Sequence, residues 1–169
     1  INLEGTRPIL IEIQALVDKS MLPNPKRLTV GTDAQRLTML LAILHRHVTL
    51  STYDQDVFLN AVGGIKISET ASDLAVLIAI VSSMTNQAVS SKTAIFGEVG
   101  LGGEIRPVSR GQERIKEASK LGFTRIIVPL KNKAADIPDV EIIGVDNLRD
   151  AVKVVFGSNR VNHDDQVYP

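Results

Sequence analysis

Residues 71–84 read A-S-D-L-A-V-L-I-A-I-V-S-S-M, which is apolar nearly all round a helical wheel. A helix with no polar face has nothing to offer solvent, so it must be central and buried. The remaining elements then have to wrap it. The chain has 169 residues, enough for one domain with a real core and too few for two. Apolar residues make up 44% but aromatics only 4%, so that core is built from Ile, Leu, Val and Ala.

The flanking sequence alternates strand and helix signals. Residues 7–16 (R-P-I-L-I-E-I-Q-A-L), 27–31 (R-L-T-V-G) and 56–62 (D-V-F-L-N-A-V) read as strands. Between the last two, T-D at 32–33 caps a helix running to about His47, with Leu37, Leu40, Leu41 and Leu44 on one face. Residues 93–99 and 104–108 read as strands joined by the turn G-L-G-G. That turn joins two strands and has no helix after it, so it predicts a hairpin and not a phosphate loop. A helix follows at 110–121, closed by Gly122. T-R-I-I-V-P and V-E-I-I-G-V are further strands, and N-L-R-D-A-V-K-V-V-F is a last helix. The pattern predicts an α/β domain with a mixed sheet and packed helices. It spans residues 1–157, and residues 158–169, which lack periodicity, are expected to be a flexible or vector-derived tail. A start at Ile1 in place of Met predicts a fragment of a longer protein.

Composition removes several functions. With no Cys there is no disulfide, thiolate metal site or Cys nucleophile. His45 and His47 are two apart and point to different faces of a helix, so with His163 they form no metal pattern and are expected at the surface. No run reaches the roughly 20 apolar residues of a membrane helix. Neither G-x-x-x-x-G-K-S/T nor G-x-G-x-x-G occurs. Formal net charge is zero, with 19 basic and 19 acidic residues, so any nucleic-acid surface must be local.

Four phrases carry a resemblance: E-G-T-R-P-I-L-I-E-I-Q-A-L-V, D-V-F-L-N-A-V-G-G-I-K, F-G-E-V-G-L-G-G-E-I-R-P-V and G-F-T-R-I-I-V-P. Together, across residues 4–157, they resemble the C-terminal Lon-protease-like domain of the RadA (Sms) family of bacterial DNA-repair proteins. The resemblance implies a Lon proteolytic-domain-like α/β fold. In Lon proteases a Ser opening the central helix and a Lys opening a later one form a catalytic dyad. Ungapped alignment puts the Ser position on Ala71 and the Lys position on Gln112, so the resemblance implies a domain with no catalytic residue. Local roles suffice for these residues: Ser68 or Thr70 as N-cap of the central helix, and Ser109-x-x-Gln112 as a capping box. The competing enzyme reading is a residual Ser–Lys peptidase that uses Ser72 with Lys116.

The resemblance also implies a hexameric ring that serves as scaffold, contacts DNA without sequence preference, and supports branch migration and recombination by a full-length cytoplasmic ATPase, together with a recombinase partner. ATP, Mg and Zn are expected only in an N-terminal part outside this chain, and no cofactor or metal is expected here. Candidate phosphate contacts are Arg27, Arg36, Lys66 and Arg106, which occupy motif positions at element ends. Lys26, Arg110 and Arg114 rank behind them. Local pairing competes in two cases, Arg36 with Asp33 and Arg106 with Glu104. A ring repeats each residue about its axis, so even a neutral protomer can present a positive belt. A third reading is an assembly module that makes no DNA contact.

Overall fold

The computed structural model describes residues 1–4 and 7–157. The tail at 158–169, with His163, lies outside the described residues. The chain begins with a short antiparallel pair, β1 (Asn2–Glu4) and β2 (Arg7–Ile9). It then enters a three-stranded mixed sheet of β3 (Ile13–Lys19), β4 (Arg27–Val30) and β5 (Gln55–Ala61). In that sheet β5 is central, antiparallel to β3 and parallel to β4. The single strand expected over 7–16 is therefore two strands. They belong to different sheets, and residues 10–12 carry the chain from one to the other.

Helix α1 (Ala34–Val48) joins β4 to β5. Asp33 caps it, accepting the Gln35 backbone N–H at 2.8 Å. The expected leucines are buried on its inner face. Helix α2 (Asp73–Thr85) is the central element that the sequence demands, entered through a 3-10 turn at Thr70–Ser72. Leu74, Leu77, Ile80 and Val81 on it are fully buried. At about 1.5–3 kcal/mol for each large apolar side chain, this helix is a major contributor to the core. It ends at Asn86, whose left-handed backbone (φ 51°) lets its N–H reach back to the last turn.

The second half supplies a parallel sheet of β6 (Thr93–Ile95), β9 (Arg125–Pro129) and β10 (Glu141–Val145), with β9 central. Between β6 and β9 come the hairpin β7 (Glu98–Val99) and β8 (Ile105–Arg106), then helix α3 (Gly111–Lys120). The G-L-G-G segment is the hairpin turn, as expected. Helix α4 (Leu148–Phe156) closes the domain, capped by Asn147, which accepts the Asp150 N–H. The main core gathers α1, α2, α4 and the inner faces of β3 and β5. A second cluster lies between α3 and the parallel sheet, around Phe96, Ile115, Ile126 and Val128. The result is a mixed α/β domain with four helices, in which α2 lies between the two sheets.

Candidate functional site

Around the entry to α2 and the start of α3 lie Ala71, Gln112 and three of the candidate arginines. Ala71, in the 3-10 turn, is buried, and its carbonyl accepts the Gly97 N–H at 2.8 Å. Gly97 in turn accepts the Leu74 N–H at 3.0 Å, so the segment between β6 and β7 is laced to the start of the helix. Gln112 lies in the first turn of α3, and its side-chain amide donates to the Asn132 carbonyl at 3.1 Å. Asn132 also clamps Val108, accepting its N–H at 2.8 Å and donating to its carbonyl at 3.1 Å. Both positions are thus occupied by groups that hold the backbone in place.

The two expected caps are replaced by longer-range contacts. Thr70 does not cap α2; its hydroxyl donates to Glu98 on β7. Ser68 does not cap it either, because the preceding residue of the 3-10 turn is Glu69 and the helix follows from Ser72, neither with a side-chain cap bond. The capping box at Ser109 and Gln112 is absent as well. α3 starts at Gly111, preceded by Arg110 in a left-handed conformation (φ 57°), and Gln112 reaches outward to Asn132. The local patterns fit caps, but partners from β7 and the loop after β9 took their place.

Three arginines surround this entry, each already engaged. Arg36 makes a two-pronged contact with Asp73, through Nε to Oδ1 at 3.1 Å and through Nη2 to Oδ2, and also donates to the Val99 carbonyl. Asp73 is 2% exposed and further accepts the Val99 N–H at 3.1 Å. Burial pushes the Asp73 carboxyl up, against the opposing pull of Arg36 and the Val99 N–H, while the hydrogen bond to Asp73 raises Arg36. The partner of Arg36 is therefore not Asp33, which is spent on the cap of α1. Arg114 is fully buried, so its second-rank place as a phosphate contact is corrected. Its guanidinium grips Glu69 at 2.7 and 3.1 Å, donates to the Ser109 and Ile1 carbonyls at 2.9 Å each, and lies 5.9 Å from the Phe96 ring centroid. Arg106, half exposed, bridges Glu104 at 2.7 Å and Glu98 at 3.4 Å. The Glu104 carboxyl is held below the usual range by its own backbone N–H and then by Arg106. Glu69, Asp73, Glu98 and Glu104 thus face three guanidiniums, and the cluster has no cationic surplus.

The remaining candidates lie apart from this cluster. Arg27 is folded onto backbone, donating to the carbonyls of Thr52 (2.6 Å), Gln55 and Lys26. Lys66 is exposed in the loop after β5, with no hydrogen bond or ion pair among the described residues. That loop is pinned where the Ile67 N–H donates to the Gly31 carbonyl at 2.7 Å. Gly31 (φ 80°) must be glycine there, because a Cβ would lie 2.5 Å from the Ile65 carbonyl. Arg27 and Lys66 therefore sit near opposite ends of β4. Lys26 is exposed, and Arg110 lies 3.8 Å from Glu113.

For the enzyme reading, the Ser72 hydroxyl turns back to the Glu69 carbonyl at 3.2 Å. Lys116 is exposed on α3 and makes no ion pair among the described residues. His45 is exposed and His47 half-buried at the surface, as expected; His47 Nε2 bonds the Leu101 carbonyl at 2.9 Å, and its ring packs where a Cβ on Gly103 would fall. The described residues contain no group of three or more His, Cys, Asp or Glu placed to hold a metal ion. None of their helices is long and apolar enough to cross a membrane.

Comparison with known proteins gives two results. The family model described as subunit ChlI of Mg-chelatase matches residues 38–132. The chain is also similar to "DNA repair protein RadA" of Pseudomonas aeruginosa, 56% identical over 154 residues, covering 90% of this chain and 34% of the relative. The Escherichia coli protein of that name is 56% identical over 152 residues (89% and 33%), and that of Bacillus subtilis is 43% identical over 158 (92% and 34%). The chain spans about a third of the length of the curated relatives it matches.

Proposed function

Because the chain belongs to the family described as subunit ChlI of Mg-chelatase and shares more than half its residues with part of DNA repair protein RadA, we propose that it serves DNA repair as a binding and assembly domain without catalysis. The observation that carries this reading is the entry to α2. The aligned dyad positions are Ala71 and Gln112, and every polar group named around them is committed to the fold. A buried central helix between a mixed sheet and a parallel one supports a Lon-like scaffold. The peptidase alternative lacks support, since the Ser72 hydroxyl donates to the Glu69 carbonyl and has no side-chain hydrogen-bond partner among the described residues.

Assembly has a surface to work with. On the outer side of the first sheet, Leu16, Phe58 and Leu28 stand in one row across β3, β5 and β4 by register. Leu16 is 58% exposed, Leu28 56% and Val30, further along β4, 56%. An uncovered apolar row on a sheet with an open edge strand favours self-association. We assign it to contact between copies, in keeping with a ring scaffold that supports branch migration by a longer ATPase.

DNA contact in this reading rests first on Lys66. Arg27 and Arg106 would add to it by exchanging carbonyl and carboxylate partners for phosphate. Arg36 is retained as a fold residue. The test is a DNA titration by fluorescence anisotropy at two salt concentrations, with mass measured by light scattering. Salt-sensitive binding by an oligomer supports the reading, because released counterions make phosphate contacts salt-dependent. An oligomer that ignores DNA would leave a pure assembly module, and casein cleavage abolished by Ser72→Ala would revive the peptidase.

A further inference from the structure

One side of α2 borders a groove that the proposed function does not use. It encloses about 870 Å³ between β3 and the 88–95 segment that leads into β6, within the range of ligand sites. Ala75, Ile78 and Ala79 of α2 line it, the two alanines one turn apart, so another backbone can approach closely.

The wall formed by β3 is an open strand edge. In an antiparallel pair, alternate residues turn both N–H and C=O toward the partner. The Val62 N–H donates to Glu12 and the Ser20 N–H to Asp54, and Gln14, Leu16 and Asp18 oppose Asn60, Phe58 and Asp56. The even-numbered residues therefore face β5, and Ile13, Ala15 and Val17 turn their backbone groups the other way. The Val17 N–H is satisfied by the Ser83 hydroxyl at 2.9 Å. Ile13 and Ala15 have no partner for theirs among the described residues. Both line the groove.

A second observation is independent of the strand edge. Asn2 is 4% exposed and lines the same groove, yet its Oδ1 is buried with no hydrogen-bond partner. Thr93 Oγ1, on the opposite wall, is orphaned in the same way. Buried polar atoms are almost always paired, so these two mark places for a missing donor and a missing partner. No Lys or Arg lines the groove, and its one charged side chain is Glu12. That charge pattern excludes phosphate and nucleic acid and favours a basic residue opposite Glu12.

From these observations we propose that the groove binds an extended peptide segment that adds as a strand to the free edge of β3. Its side chains facing α2 are small and apolar, and it carries a Lys or Arg opposite Glu12. Ile13 and Ala15 supply the ladder. Asn2 Oδ1 accepts one peptide N–H, and Thr93 pairs across the groove. This inference does not depend on the DNA reading.

The test uses the whole chain, immobilised and panned against a random dodecapeptide display library. The proposal expects enriched sequences with alternating small apolar residues and a basic residue. Their synthetic peptides should bind saturably and shift the amide NMR signals of Ile13 and Ala15. Ala15→Pro removes an outward N–H and should weaken binding at least tenfold, as should proline at alternate peptide positions. Asn2→Leu fills the orphan position with an apolar group and should weaken binding several-fold, a second reading should Ala15→Pro disturb the fold by circular dichroism. No enrichment on the folded chain overturns the proposal. So do enriched peptides that bind both variants as well as the unaltered chain, or that leave the Ile13 and Ala15 amides unmoved.

Discussion

The two flanks of α2 handle polar groups in opposite ways. At its N-terminal end, charge is dense and satisfied: Arg36 holds Asp73, Arg114 holds Glu69, and Arg106 spans Glu98 and Glu104. Along its side, charge is nearly absent, but backbone groups of β3 and the side chains of Asn2 and Thr93 go unpaired. The contrast separates structural polarity from binding polarity. Arginine at a motif position suggests a ligand, yet a guanidinium already bonded to the protein's own carboxylates and carbonyls holds the fold. An orphaned amide in an apolar groove is the better sign of a missing partner.

The contrast can be broken by substitution, with the largest effect at Arg114. Arg114→Ala would take a buried guanidinium away from Glu69 and from the Ser109 and Ile1 carbonyls, and should cost about 3–5 kcal/mol in urea unfolding. Arg36→Ala leaves Asp73 buried with the Val99 N–H alone. A loss of about 2–3 kcal/mol is expected, smaller because Arg36 is partly exposed. If either variant unfolds like the unaltered chain, the polar end is not structural. Lys66→Ala should leave stability unchanged and reduce the salt slope of DNA binding by about one. Arg36→Ala, in molecules still folded, should leave that slope alone.

Arg106→Ala should have the smallest effect, a shift in unfolding midpoint close to experimental error, since both its ion pairs are exposed. Its pH dependence has a definite sign. The Glu104 pKa is depressed in the fold, so its contribution is present above the ordinary carboxylate pKa and is lost as pH falls through the depressed value. Arg106→Ala should flatten that acid limb in a pH series of unfolding midpoints, and a steeper limb would contradict the assignment.

Much of the fold was legible because its signals are local. The Asp33 cap and Leu face of α1, the G-L-G-G hairpin and the all-apolar α2 are each decided within a few residues. The site was harder to read because its partners are distant in sequence. Arg36 and Asp73 are 37 residues apart, and Arg114 and Glu69 are 45 apart. Asp33 lay closer to Arg36, but its carboxylate was already used by the helix cap. The capping box at Ser109 failed for a related reason, as Asn132, 20 residues on, offered Gln112 its carbonyl. Sequence spacing also gave no hint that Arg114 is buried, since the charged pattern of α3 reads as a solvated face. The open edge of β3 depends on which residues face β5, which only the register shows.

The most direct test of the central claim, that the entry to α2 is structural and the domain works by binding, is the salt-dependent DNA titration of the unaltered chain with its mass measured alongside. The account predicts an oligomer whose DNA affinity falls steeply with salt, and whose Lys66→Ala variant is weakened while Arg36→Ala loses stability first. A stably folded Arg36→Ala variant that loses DNA binding outright would contradict it, because Arg36 would then be a phosphate contact and not a strut of the fold.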